Sequence, residues 1–273
     1  MTANAPPEST QSPPHRTPEP ANHAALGFEP NTKTTRSGQR SPIRLRVAWK
    51  ALRRLIENPD RTDQVFVIID ALSGKSGERQ FLKFAATPVG RRILADQRDL
   101  LAVLRNREAL HAMPQGSLGN SYANFMSREA ISADGLVEAS NEGGRIVGDD
   151  VQRTLFGVRL RDSHDLWHVA TGYGRDLLGE ASLLAFTFAQ TRSPGIGVIV
   201  AMAYLKAGDL PGARPMIREA YRRGRKSAWL PTADWEALLA LPLDEVREKL
   251  KLGAAPEYFE IRSAEGAKAP GSS

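Results

Sequence analysis

The chain contains no cysteine, which removes disulfide scaffolds, thiolate zinc sites and cysteine nucleophiles from consideration. No run of residues reaches the roughly 18 consecutive apolar positions of a membrane-spanning helix. The N-terminus lacks the apolar stretch of a secretory signal. Glu8, Glu19 and Glu29 also argue weakly against a mitochondrial transit peptide. There is no zinc knuckle, RNA-binding aromatic motif or clear helix-turn-helix pattern. The net charge of +6 and pI near 9.7 are therefore assigned to an anionic membrane surface rather than to nucleic acid.

What is present suffices for a sizeable core: 41% of the 273 residues are hydrophobic. Residues 1–42 hold eight of the 18 prolines with nearly balanced charge and read as a disordered tail. Residues 263–273 are small and polar and read as a frayed C-terminus. Between them, residues 43–262 read as one all-α, multi-helix domain with short Gly/Pro turns. Helices are expected near 77–87, 89–95, 96–107, 119–127, 150–160, 161–171, 180–191, 196–207, 213–223, 232–239 and 243–250. Asp63 to Leu72 is β-branched enough for a strand, but no partner strand stands out.

Basic residues concentrate in two places. From Ile43 to Ile56, Leu45, Ala48, Trp49, Leu52, Leu55 and Ile56 form one helical stripe, with Arg46, Lys50, Arg53 and Arg54 mostly opposite. Such a helix suits an anionic membrane surface, with Arg46, Trp49, Lys50, Arg53 and Arg54 as the contact. It equally suits an ordinary surface helix packed on the core, and the two readings are compatible. The second cluster, Arg222-Arg223-Gly224-Arg225-Lys226 near Trp229, is either a phosphate or headgroup contact or the charged end of a helix. Two nearly uninterrupted apolar segments, Ala181–Ala189 and Gly195–Leu205, must be buried on every side or face lipid. Leu184, Phe186, Phe188, Val198 and Met202 on these segments are candidate walls of a hydrophobic cavity.

The most informative stretch is His164-Asp165-Leu166-Trp167-His168. On a helix, His164 and His168 project from one face, and Asp165 shares an edge of it. Thr171-Gly172-Tyr173-Gly174 allows the chain to turn. Glu180 then follows Gly179 on a second helix able to fold back. Two imidazoles and two carboxylates can thereby converge on a divalent metal, or form a buried polar cluster without one. Nitrogen and oxygen donors of this kind suit zinc, manganese, iron or cobalt.

The pattern His164-Asp165-x-x-His168, eleven residues, Glu180 resembles the signature of the coenzyme Q biosynthesis protein four family of the ubiquinone pathway. Thr87-Pro88-Val89-Gly90-Arg91-Arg92-Ile93-Leu94 and Pro114-Gln115-Gly116-Ser117-Leu118-Gly119-Asn120-Ser121-Tyr122 also match. A weaker echo lies in Trp235-Glu236 and Pro242-Leu243-Asp244-Glu245-Val246-Arg247. The lead-in Leu160-Arg161-Asp162-Ser163 departs from the family's aromatic-rich pattern, as in a distant bacterial-type relative.

The resemblance implies an all-helical protein at a membrane surface that holds a prenylated quinone precursor in a hydrophobic channel. It implies oxidative decarboxylation at ring carbon 1 of a polyprenylated 4-hydroxybenzoate derivative, or a non-catalytic scaffold for other ubiquinone-biosynthesis enzymes. His164, Asp165, His168 and Glu180 are then the metal ligands, with Asp165 and Glu180 the catalytic candidates. Asp162 and Tyr173 are candidate supporting or proton-handling groups. A bacterial cytoplasmic location at the inner membrane is expected, and a homo-oligomer is left open.

Overall fold

A computed structural model describes residues 43–58, 61–135, 137 and 150–261. The tails expected at 1–42 and 263–273 lie outside the described residues. The expected all-α class holds: the described residues form fourteen α-helices and no strand, with a lone antiparallel bridge between Ser117 and Pro242.

The helices start where local chemistry satisfies their free N–H groups. Helix α1 (Leu45–Glu57) and α2 (Thr62–Leu72) form a hairpin, followed by α3 (Ser76–Ala85). Thr87 caps α4 (Pro88–Ala95) by accepting from Gly90 N at 2.9 Å, with Pro88 in the first turn. Asp99 and Asn106 separately cap α5 (Leu100–Arg105) and α6 (Arg107–His111). That second cap divides the single helix expected over 96–107. Ser117 caps α7 (Leu118–Arg128), and Asp150 caps α8 (Val151–Asp162). The two sequence segments beginning at Thr87 and Pro114 are thus, in structural terms, helix starts.

The strand-like run at Asp63–Leu72 is helix α2. Its Ile68, Ala71 and Leu72 bury against Ala48, Ala51 and Leu52 of α1, and tertiary packing overrides its β-branched preference. The expected stripe on α1 is only partly inward. Leu45 and Trp49 are 69% and 62% exposed, because the face that meets α2 is centred on Ala48, Ala51 and Leu52.

The principal core surrounds α9 (His164–Thr171), in which Leu166, Trp167 and Ala170 are almost fully buried. Around it stand Tyr122 of α7 and Leu183 and Phe186 of α10 (Leu177–Thr191). Helix α11 (Pro194–Lys206) packs on α2 and α10, and α12 (Ala213–Lys226) packs along α10. The short α13 (Trp235–Leu238) and α14 (Leu243–Lys249) close the far side.

One buried ion pair ties α8 to this closing layer. The Arg159 guanidinium, 3% exposed, donates two 2.6 Å hydrogen bonds to the Glu236 carboxylate and a further one to the Ala233 carbonyl. Removing one partner of such a pair leaves an uncompensated charge. Glu236→Ala is expected to lower unfolding free energy by about 3 kcal/mol or more. Chemical denaturation monitored by circular dichroism checks this; a change below about 1 kcal/mol would mean that water replaces the carboxylate.

Candidate metal centre

Helix α9 sets the two histidines side by side, as its period dictates. The Nε2 atoms of His164 and His168 are 3.2 Å apart and the rings meet edge to face at 88°. His168 is 1% exposed, and the Phe125 ring stacks against it at 5.8 Å. Its Nδ1–H donates to the Tyr173 carbonyl at 2.9 Å. Since a carbonyl only accepts, that bond leaves the Nε2 lone pair of the neutral ring facing the cluster.

The turn after α9 brings the carboxylate. Gly172 ends the helix at φ +79°, a left-handed conformation that favours glycine. Asp176 then caps α10 by accepting from the Leu178 and Gly179 amides. A Cβ at Gly179 would lie 2.2 Å from the Gly174 carbonyl oxygen, so glycine is required for this tight reversal. Tyr258 completes the turn, donating to Asp176 Oδ2 at 2.7 Å and accepting from Gly174 N at 2.8 Å. One residue beyond Gly179, Glu180 places Oε1 3.4 Å from His168 Nε2 and Oε2 3.9 Å from His164 Nε2.

These three residues each offer a ligand atom, and the atoms lie within 4.8 Å of one another. Metal–ligand bonds of about 2.0–2.2 Å give donor separations of about 3.3–3.6 Å around a tetrahedral ion. The 3.2 Å between the rings and the 3.4 Å from His168 to Oε1 lie close to that range, while the nearest Glu180 oxygen to His164 is the other one, Oε2, at 3.9 Å, so the carboxylate would have to shift to hold one ion with both rings. The electrostatics of the three groups are coupled. Burial and the neighbouring His168 push His164 below its ordinary value. Burial raises Glu180, but His168, His164 and Arg175 outweigh it and hold the carboxyl at about 2. Burial alone would lower His168, and Glu180 reverses this to a net rise.

Asp165 is not among the three gathered groups. It is buried next to His164, close enough to act electrostatically on both rings. Asp162 is paired with Arg161 at 2.7 Å, and burial raises its pKa despite that partner. Tyr173 supports the site through its main-chain carbonyl, while its ring lies under the Arg223 guanidinium at 5.0 Å. Arg175, with Nε 3.8 Å from Glu180 Oε1, carried no signal in the sequence beyond its proximity to Glu180.

His164 and Glu180 open onto a cavity of about 520 Å3. Its apolar walls come from α2 (Val65, Phe66, Ile69), α3 (Phe81) and α8 (Phe156, Leu160), with Leu184 and Ile196. Of the five cavity residues expected from sequence, only Leu184 lines it. Phe186 is fully buried in the core against Trp167, and Phe188 faces the opposite side of α10. Met202 packs toward α1 and α2, and Val198 is 37% exposed. An apolar run shows that a helix needs cover, but not which side faces a void.

The fold and site together define an all-helical protein with a three-donor metal-type centre in the wall of an apolar pocket. The family description "Coenzyme Q (ubiquinone) biosynthesis protein Coq4" matches residues 36–256, and the chain belongs to that family. It is 32% identical over 216 residues to the mitochondrial ubiquinone biosynthesis protein COQ4 of Paracoccidioides brasiliensis, spanning 75% of this chain and 71% of that relative. The corresponding protein of Talaromyces stipitatus is 31% identical over 212 residues, spanning 75% and 70%. A crystal structure of a Nostoc punctiforme protein named for ubiquinone biosynthesis shares the fold. Its TM-score is 0.59 at 21% identity, covering 78% of this chain and 98% of that one. The fungal names overturn the expected bacterial cytoplasmic location, since those relatives are mitochondrial proteins.

Replacing His168 or Glu180 with alanine is expected to lower bound divalent metal at least tenfold, whereas Asp165→Asn should leave the stoichiometry unchanged. Elemental analysis of purified protein after dialysis checks both. Loss of metal in Asp165→Asn would restore it to the ligand set.

Proposed function

We propose that this protein acts in ubiquinone biosynthesis, carrying out metal-dependent oxidative decarboxylation at ring carbon 1 of a polyprenylated 4-hydroxybenzoate-derived precursor. The observation that carries this reading is a three-donor cluster opening onto an apolar pocket. Three protein donors leave coordination positions for substrate, whereas a purely structural ion would be closed by a fourth. This favours chemistry over the scaffold reading.

A bound divalent ion would supply Lewis-acid stabilisation to a ring carboxylate and its neighbouring oxygen. His164, His168 and Glu180 would hold it, and the Tyr173 carbonyl keeps His168 turned toward the cluster. The donor chemistry suits zinc, manganese, iron or cobalt alike. Phe81, Phe156, Leu160 and Leu184 offer the ring and the start of its prenyl chain a water-poor wall. In the overall change the ring–carboxyl carbon bond breaks and a ring–oxygen bond forms. With water as the oxygen source, the carboxylic acid and water give the phenol, carbon dioxide, two protons and two electrons. Those electrons pass to an external two-electron acceptor of the dioxygen or quinone class.

Substrate so apolar resides in a membrane, and α1 offers a means of approach. Arg46, Lys50, Arg53 and Arg54 are exposed there beside Trp49, Leu45 and Ile43, the last 60% exposed. Exposed cations and aliphatic or aromatic side chains on one helix suit an anionic bilayer surface. Other enzymes of the pathway are natural partners at that surface.

Two experiments test the reading. In cells carrying Glu180→Ala at normal abundance, mass spectrometry should find precursors that still bear the ring carboxylate. Normal ubiquinone without such precursors would make the centre dispensable. Replacing Arg46, Lys50, Arg53 and Arg54 with glutamine should weaken binding to anionic vesicles by about tenfold or more. Undiminished binding would remove α1 as the contact.

A further inference from the structure

Helix α10 separates two recesses. Glu180, Leu184, Thr187 and Thr191 face the pocket beside the metal-type centre, while Ala185 and Phe188 face the other way. There α10, α11 and α12 enclose an open groove of about 950 Å3 that shares no lining residue with the first. Its floor is apolar: Phe188, Val200, Ala201, Leu205 and Ile217, with Tyr204 and Tyr221 at its sides. Along one edge stand Arg218, Arg222, Arg225 and Lys226, all exposed.

Two independent features mark this groove. The first is α11 itself, whose sequence from Pro194 to Leu205 contains no charged residue. Such a helix should be enclosed on every side. Ile196 and Ile199 are enclosed, yet Val198, Ala201 and Leu205 are exposed, Leu205 by 63%. An uncovered apolar face on a folded protein marks a contact surface. The second is the cationic edge. Arg218, Arg222 and Arg225 follow one another at helical spacing on α12. Glu219 offers Arg222 a long 3.5 Å contact, and Arg218, Arg225 and Lys226 make no ion pair among the described residues.

We propose that this groove seats an anionic membrane phospholipid, an acyl chain lying on the apolar floor and the phosphate meeting the α12 cations. Charge selects this occupant. A second copy seated on this groove would bring eight cations into an interface whose lining holds no acidic residue. A free phosphate would leave the floor uncovered. The groove thus anchors the protein separately from the metal centre, and the assignment stands whether or not that centre is catalytic.

The test uses the full chain with methyl-labelled side chains. Dihexanoyl phosphatidylglycerol, kept monomeric, should shift the methyl signals of Val200, Leu205 and Ile217, while inorganic phosphate should not. Leu205→Gln together with Ala201→Gln, both at exposed positions, should abolish the shifts. Changing Arg218, Arg222, Arg225 and Lys226 to glutamine should weaken binding to vesicles of phosphatidylcholine and phosphatidylglycerol at least about tenfold, given about fivefold per cation near an anionic surface. Binding to phosphatidylcholine alone should barely change. The glutamine variant of α1 should retain the methyl shifts, which separates this site from that helix. Absence of methyl shifts, the same shifts from phosphate alone, or a concentration-dependent dimer whose interface covers Leu205 would each overturn the proposal.

Discussion

The hydrogen bond from His168 Nδ1 to the Tyr173 carbonyl is the contact on which the centre depends. It fixes the ring's tautomer and rotation, and it also clamps the first residue after the αL turn at Gly172 to the helix just ended. The same short loop then runs into the Asp176 cap, so the position of Glu180 relative to the histidines is set within a few residues. Because Tyr258 bridges Asp176 and Gly174, the segment after α14 locks this reversal from outside. Ligand orientation therefore comes from main-chain and capping bonds that themselves are not ligands, the arrangement expected of a preorganised metal site.

Burial gives those bonds their leverage. Helix α9 is short and almost wholly enclosed, with Leu166 and Ala170 completely buried and Trp167 packed edge-on to Phe186. A helix held on all sides cannot rotate to relieve the crowding of two imidazole nitrogens at 3.2 Å. The close approach of His164 and His168 costs electrostatic energy only if both are protonated, and burial pushes His164 toward its neutral form. Glu180 meanwhile remains ionised because the adjacent rings and Arg175 outweigh its own desolvation. A cation bound here would take the place of the proton that Glu180 favours on His168.

The two proposed sites lie on opposite sides of α10. One side carries Glu180 and the pocket wall, the other the floor of a groove edged by α12 cations. Helix α1 adds a third feature, an exposed cationic and aromatic surface remote in sequence from both. Under the proposed function, this division of faces would serve both a water-poor pocket and a charged bilayer surface; among the described residues no helix is long and apolar enough to cross a membrane.

Much was legible in the sequence because it rests on local rules. The four-residue spacing of His164 and His168, the glycine turn and the restart before Glu180 specify two facing helices through periodicity and capping alone. The all-helical class followed from the same periodicity, whereas the caps at Thr87 and Ser117 were seen only in the structure. Only the tertiary structure decided the rest. Spacing alone, which sets Asp165 three residues before His168, does not decide whether it joins its neighbours, and the structure gathers three donors without it. The pocket walls come from α2, α3 and α8, and the lining residues of α2 and α3 precede His164 by more than 80 positions, because a void is made by what fails to fill it. Trp49 and Leu45 face outward although they continue the apolar stripe of α1, since the width of a buried face is set by the partner helix and not by the helix that carries it.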